Sequence, residues 1–343
     1  MVKGSSLPDE KQAAPAAVPP ARRPAAGRRA GAGRQPPRRQ LLRRRQDGRP
    51  PERRALAAKG LPYLLVAPLT LFIVGLALIP AAFTIIESFY RANPLDPPTR
   101  FDGIGNFRRL FANNAVITSF GNTAVYVVVG VVLSTVLGIF FAVVLRNPFR
   151  GRGILIAVLI LPWALPGVVE GILWTGIFDP SSGLMNGVLS SLHLASHGSV
   201  LLGDNRWLTI FLVELVQVWQ ITPLSALLVL ASMQLMPHEL FQAAAIDGCG
   251  AWQSFWRITL PLARPGIAVA IVQALIATLN VFDQPYVLNG AATTGSSITE
   301  QTYFISFQNL DFGGGYALSL LITLITLIIS LIVVRGVYRR IDY

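Results

Sequence analysis

Carboxylates and amides occur in this chain where an apolar sequence should have none. Glu170, Glu214, Asn280 and Asp283 lie within or beside long hydrophobic stretches. An ionisable side chain in hydrocarbon costs about 2.5–3.5 kcal/mol on insertion scales, so it normally faces a protein interior or a water-filled cavity. Gln217 and Gln220 stand one turn apart on one stretch; Gln273, Asn280 and Asp283 follow on the next, and the spacing of the last two predicts a shared helix face. Such groups either line a polar path across a membrane or hydrogen-bond between helices and hold a bundle together. Taken as a set, with Trp219 and Phe282 beside the amides, they favour a path. Glu170, Glu214 and Asp283 could instead relay protons. His193 and His197 are four apart, which suits a metal on a helix. They lie in a Ser- and Gly-rich loop without a nearby third ligand, so no metal site is expected. No Gly-x-x-x-x-Gly-Lys-Ser/Thr run occurs, and lysine is confined to positions 3, 11 and 59. The chain is therefore not expected to bind ATP by a phosphate-binding loop.

The elements that must position these groups are membrane helices. Charged residues make up 13% of the chain and hydrophobic ones 52%, against about 25% charged in a soluble domain. A membrane helix needs about 20 mostly apolar residues. Six stretches qualify, at 61–88, 124–145, 154–178, 208–233, 266–288 and 316–337. Helices also satisfy their own backbone polar groups, which hydrocarbon demands. The expected fold is an all-α membrane protein of six transmembrane helices, with Pro162 and Pro166 tolerated inside the third. Glu87 falls at the outer end of the first and needs no functional account.

Charge sets the orientation. Residues 1–60 hold 16 of the 29 Lys/Arg and 4 of the 17 acidic residues, and the remainder is neutral. This Ala-, Pro- and Arg-rich segment cannot bury enough apolar surface to order itself. It is expected to be a disordered cytosolic tail near anionic lipid headgroups; without an aromatic residue for base stacking, it is not expected to bind nucleic acid. Its first residues lack the apolar core of a cleavable leader. With the N-terminus inside, juxtamembrane and cytosolic segments carry eleven basic residues against five in the outer loops (Arg91, Arg100, Arg108, Arg109 and Arg206). Six spans then place both termini in the cytosol. Cys249 is the single cysteine, so no intrachain disulfide forms.

Between the fourth and fifth stretches runs a segment from Met236 to Pro265. It is too long for a hairpin turn and too regular for a disordered loop. Pro237 and Glu239 suit a helix start, Leu240, Phe241 and Ala244 recur at helical spacing, and Asp247-Gly248 stops the helix at a left-handed cap. A second short helix carries Trp252, Phe255 and Trp256 on one face and ends at Pro261 and Pro265. The hairpin either docks into a partner's groove through the small Ala243, Ala244 and Ala245 or lies on lipid with Trp252 and Trp256 as anchors.

Gln242-Ala243-Ala244-Ala245-Ile246-Asp247-Gly248, followed by Ile258-Thr259-Leu260-Pro261, resembles the EAA signature of type I ABC import permeases. Val218-Trp219-Gln220 with Thr222-Pro223, and Phe282-Asp283 with Tyr286-Val287-Leu288, are similar to the carbohydrate branch of that family. So are Gly105-Asn106-Phe107-Arg108-Arg109-Leu110-Phe111 and Gly121-Asn122-Thr123 in the first outer loop. The resemblance covers most of Leu61–Tyr343. It implies a permease subunit paired with a second, unlike permease. Two partner ATPase subunits would hold ATP and Mg, an extracytoplasmic binding protein would deliver substrate, and no cofactor would sit in this chain. It further implies a cytosolic coupling helix between the fourth and fifth spans, with Glu239, Gln242, Ala243, Ala244, Asp247, Gly248 and Pro261 at the ATPase contact. Glu214, Gln217, Trp219, Gln220, Asn280 and Asp283 would flank the path of a sugar, polyol or sugar phosphate. Two departures stand out: Gln242 replaces the family's usual glutamate, and Gly290-Ala291-Ala292 replaces its Gly-Gly-Pro.

Overall fold

The computed structural model describes residues 52–194, 196, 198–290 and 292–337; the basic tail to residue 51, His197, Ala291, Arg339 and Arg340 lie outside them. The chain divides into two compact units. The first, Met1–Pro68, contributes the opening part of helix α1 (Glu52–Ile73), which begins ahead of residue 60, where the tail was expected to end. The second unit is Leu69–Tyr343. A π-helical turn, Val74–Leu78, leads into α2 (Ile79–Glu87).

The segment that follows α2 forms regular structure. Strands β1 (Tyr90–Arg91) and β2 (Arg100–Phe101) pair antiparallel, with Tyr90 opposite Phe101. Helix α3 (Gly105–Ala112) follows. Its buried Asn106 donates to the Ser88 and Tyr90 carbonyls at 2.8 and 2.9 Å. Arg109 donates to Asn106 and, at 2.7 Å, to Asp102. The Gly105–Phe111 motif thus ties the loop to the end of α2.

Helix α4 (Asn114–Arg146) starts ten residues before the expected Ala124, because Asn113 caps it by accepting from the Ala115 N–H. At 33 residues it is about 50 Å long at 1.5 Å per residue, well beyond hydrocarbon thickness. The third apolar stretch is not one helix. It forms α5 (Arg152–Ala164) and α6 (Gly167–Phe178), bent by 100°. Pro166 causes the break: it forces Leu165 out of the helical region, to φ −78° and ψ 139°. The pair is either a broken span or a re-entrant loop. Asp179 follows, accepting from the backbone and hydroxyls of Ser182 and Ser181; these bonds hold its carboxyl down at about 2. Helix α7 (Leu184–Ser191) ends before His193, which sits at φ 58°, so that histidine is not on a helix. Among the described residues no group of three or more metal-ligating side chains assembles.

Helix α8 (Arg206–Gln234) is capped by Asn205. The hairpin comprises α9 (His238–Ile246), α10 (Ala251–Ser254), a π turn at Phe255–Thr259 and α11 (Leu260–Leu262). The fifth stretch is also broken, into α12 (Arg264–Leu279) and α13 (Asp283–Leu288). Helix α14 (Ile298–Tyr303), a π turn at Phe304–Gln308 and α15 (Phe312–Val337) complete the chain. Among the described residues, five helical segments are long and apolar enough to cross a membrane, and the bent α5–α6 pair makes six if it counts as one.

The core lies where α4, α8 and α12 pack together. Val213, Val216, Val229, Leu275 and Ala270 are buried there with Tyr126 and Leu145. Gly130 and Gly138 let the axes come close. A Cβ at Gly130 would stand 2.5 Å from Glu214 Oε1 and 2.6 Å from Thr278 Cγ2. At Gly138 it would stand 2.8 Å from Ser225 Cβ and 3.1 Å from the Ala226 backbone nitrogen, which cannot turn aside. Small residues serve this purpose between membrane helices, where packing rather than water exclusion drives association. Gly138→Val is expected to destabilise the fold by about 1–3 kcal/mol, read as a lower Tm of the detergent-solubilised protein.

Candidate functional site

The hairpin between α8 and α12 is built from its caps outward. Pro237, extended at ψ 134°, stands at the N-cap, and Glu239 lies in the first turn near the positive end of the helix dipole. Gly248 adopts φ 75°. Its N–H donates to the Ala245 carbonyl at 3.1 Å, and the Cys249 N–H donates to the Ala244 carbonyl at 2.8 Å. These are the paired bonds of a Schellman termination, whose left-handed residue favours glycine. Phe241 and Ala244 turn partly inward. Glu239, Gln242, Ala243, Ala245, Ile246 and Asp247 are exposed, Ile246 by 86%. The three alanines therefore do not share one face, because the helical repeat turns Ala244 away from its neighbours. Trp252, Phe255 and Trp256 pack against one another, edge-on or tilted, with centroids 5.3–6.3 Å apart. Pro261 lies inside α11 and is half-buried, away from the exposed face of α9.

The six path residues do not share one environment. Glu214 and Gln217 are buried between α8 and α12: Gln217 donates to the Ala277 carbonyl at 3.3 Å, while neither Glu214 oxygen has a partner. Trp219 packs edge-on against Trp174 of α6, with centroids 5.5 Å apart. It alone of the six lines an apolar groove of about 400 Å³ between α4, α5 and α8. Phe282 sits in a different ring cluster, with Tyr286 and Tyr303. Gln220 accepts from Gln284 at 2.8 Å, and Gln284 also donates to buried Glu170 at 3.3 Å.

Asn280 and Asp283 do not share a helix face. Helix α12 ends at Leu279, Asn280 caps it at φ −103°, and Asp283 opens α13 after Phe282 at φ −132°. Asn280 is exposed and donates to its own Ile276 carbonyl at 2.8 Å. Asp283 packs on Gly167, where any Cβ would collide with its carboxylate. The three-residue spacing was sound for a continuous helix, but the helix is not continuous.

Several residues matter that spacing did not single out. Gln284 joins the two broken elements, α6 and α13, to α8. Asn122, in the Gly121-Asn122-Thr123 motif, accepts from Arg206 Nε at 2.9 Å and donates to the Ser296 carbonyl at 2.8 Å. Thr123 accepts from the Ile298 N–H, and the Tyr126 hydroxyl donates to the Gly295 carbonyl, each at 2.8 Å. These bonds staple the loop after α13 onto α4. The motif's polar residues inside a helix were the available signal. Glu300 is fully buried with both oxygens unpartnered.

Residues 134–343 match the family described as "Binding-protein-dependent transport system inner membrane component". The chain is 32% identical over 287 residues to the trehalose/maltose transport system permease protein MalF of Thermococcus litoralis, covering 82% of this chain and 95% of that protein. It is 30% identical to the sn-glycerol-3-phosphate transport system permease protein UgpA of Yersinia pestis, covering 85% and 99%. Its fold matches that of a bacterial ABC transporter involved in the import of the acidic polysaccharide alginate, with a TM-score of 0.71 at 20% identity over 82% of this chain and 96% of that one. The chain belongs to the family of binding-protein-dependent transport system inner membrane components. It is a membrane permease component, and the relatives it matches are transport permeases rather than enzymes.

The Gln284 amide holds two acceptors at once. Gln284→Leu is expected to leave Glu170 and Gln220 without that donor and to cost about 1–3 kcal/mol. Glu170→Gln, which keeps an acceptor in place, is expected to cost less. Thermal unfolding of the two purified variants orders them.

Proposed function

We propose that this chain is one of two unlike permease subunits of an ATP-driven importer for a sugar, polyol or sugar phosphate. An extracytoplasmic binding protein delivers the substrate. A pair of ATPase subunits, which hold ATP and Mg, drives the cycle from the cytosol. Both termini face the cytosol, α5 and α6 together count as the third of six spans, and α9 is the coupling helix. The observation that carries this is the exposed face of α9, with Glu239, Gln242, Ala243 and Ile246 on a short helix closed by a Schellman cap. An 86% exposed isoleucine beside small residues suits a partner's groove. Gln242 makes the contact there by a neutral hydrogen bond, with Glu239 the nearest carboxylate. The relatives named for trehalose, maltose and sn-glycerol-3-phosphate support the substrate class. Sugars are held by uncharged amides and flat apolar rings, and Asn280 and Trp219 are the exposed members of the set named from sequence. ATP closure of the ATPase pair moves the coupling helices and rocks the permeases between two rigid-body states, by as much as nucleotide affinity differs between them.

Gly248→Pro is expected to abolish uptake while leaving membrane insertion intact, because proline cannot adopt φ 75° or donate to Ala245. Asp247→Arg is expected to do the same by changing the charge beside the contact, and Gln242→Glu is expected to transport normally. Uptake of radiolabelled trehalose, maltose and sn-glycerol 3-phosphate by cells expressing the full system reads all three variants. Uptake that stops with vanadate but survives a protonophore supports ATP drive; the reverse result overturns it in favour of proton coupling through the buried carboxylates.

A further inference from the structure

The hairpin is joined by the chain to α8 and α12 but not to α4, the longest helix of the core. A cavity of about 510 Å³ lies between the hairpin and the end of α4, lined by Val143, Arg146, Met233, His238, Phe241 and Thr259 among others. A hollow transmits no displacement; close contacts do. Arg146, the last residue of α4, crosses this hollow. Its guanidinium carbon stands 4.0 Å from the centre of the Phe241 ring on α9. Its Nη1 donates to the Thr259 hydroxyl at 3.4 Å, on the π turn that forms the hairpin's other arm. Thr259 is buried at 4% exposure. No carboxylate lines the cavity, so within it the guanidinium meets a ring and a hydroxyl rather than an ion-pair partner. One planar group thus grips both arms of the hairpin from a helix to which neither is connected. Charge counting along the sequence assigns Arg146 to membrane topology alone, and the structure gives it this second place.

We propose that Arg146 is a positioning residue that makes the coupling hairpin and α4 move as one body, so that displacement of α9 by a docked ATPase reaches the permease core. The proposal rests on the docking function given to α9 above. A lysine keeps a cation over the ring but lacks the fork that reaches Thr259 at the same time; an alanine leaves the hairpin tethered only through α8, α12 and apolar contact.

The test uses the full complex, with cysteine-free partner subunits, in lipid nanodiscs. One spin label goes on the chain's own Cys249, at the end of α9, and a second on Val144→Cys, on the exposed side of α4. Electron–electron distance measurements are made without nucleotide and with ATP and vanadate. With Arg146 present, one narrow distance that nucleotide leaves unchanged is expected. Arg146→Ala is expected to broaden it and make it shift on adding ATP and vanadate, and Arg146→Lys to restore part of the narrowness. Phe241→Leu removes the other half of the contact and is expected to reproduce the alanine result, which keeps the test decisive should Arg146→Ala fail to assemble. A narrow, nucleotide-independent distance in Arg146→Ala (or in Phe241→Leu, where Arg146→Ala does not assemble), or a nucleotide-dependent distance with Arg146 intact, overturns the proposal. Docking is read separately, from immobilisation of the Cys249 label when ATPase is added. Its absence counts against the docking function, while the nucleotide-free distance width still tests the clamp.

Discussion

The close approach of α4, α8 and α12 is the constraint on which the rest of the structure depends. Lipid offers no hydrophobic drive between helices, so association relies on backbones coming near enough for dense van der Waals contact and interhelical hydrogen bonds. Gly130 and Gly138 supply the room on α4, and Ser225, Ala226 and Thr278 supply small partners on α8 and α12. Everything polar in the interior is placed relative to that frame. Gln217 reaches a backbone carbonyl of α12 because the two axes are close, and Glu214 is buried where it crosses Gly130.

Around this frame the chain uses broken helices. The break at Leu165-Pro166 and the break at Asn280–Phe282 bring α6 and α13 against each other. Glu170, Gln284 and Gln220 then form one hydrogen-bonded chain across three elements. The Asn122, Thr123 and Tyr126 staple fixes the loop after α13 to α4, even though that loop departs from the family's glycine-glycine-proline pattern.

The hairpin is organised by different physics, as a short helix on a surface. It has few residues with which to stabilise itself, so its two ends carry much of the burden: Pro237 at the start, and Gly248 with its paired backbone bonds at the end. Its inner face meets a hollow and an arginine, and Phe241 also packs on the apolar cluster that holds Ala142 and Leu145 of α4. Its outer face leaves Ile246 and Leu240 exposed.

The sequence by itself determined the approximate position of the apolar segments, the hairpin between the fourth and fifth, its glycine cap and its aromatic cluster. These follow from hydropathy length, dipeptide chemistry and local periodicity, which act over a few neighbouring residues. It also flagged Glu170, Glu214, Gln217 and Gln220 as polar groups needing protein neighbours. Only the tertiary structure decided who those neighbours are. Pro166 was visible as a strain on a helix, but the 100° size of the break and the packing of α6 on α13 were not. Asn280 and Asp283 looked like one face because helical spacing assumes an unbroken helix, and that assumption ended at Leu279. Ala243, Ala244 and Ala245 looked like one docking surface, and the turn of the helix leaves the middle one half-buried. Arg146 is separated from Phe241 and Thr259 by about a hundred residues, so no local pattern could pair them; their meeting is a consequence of how α4 and α8 pack.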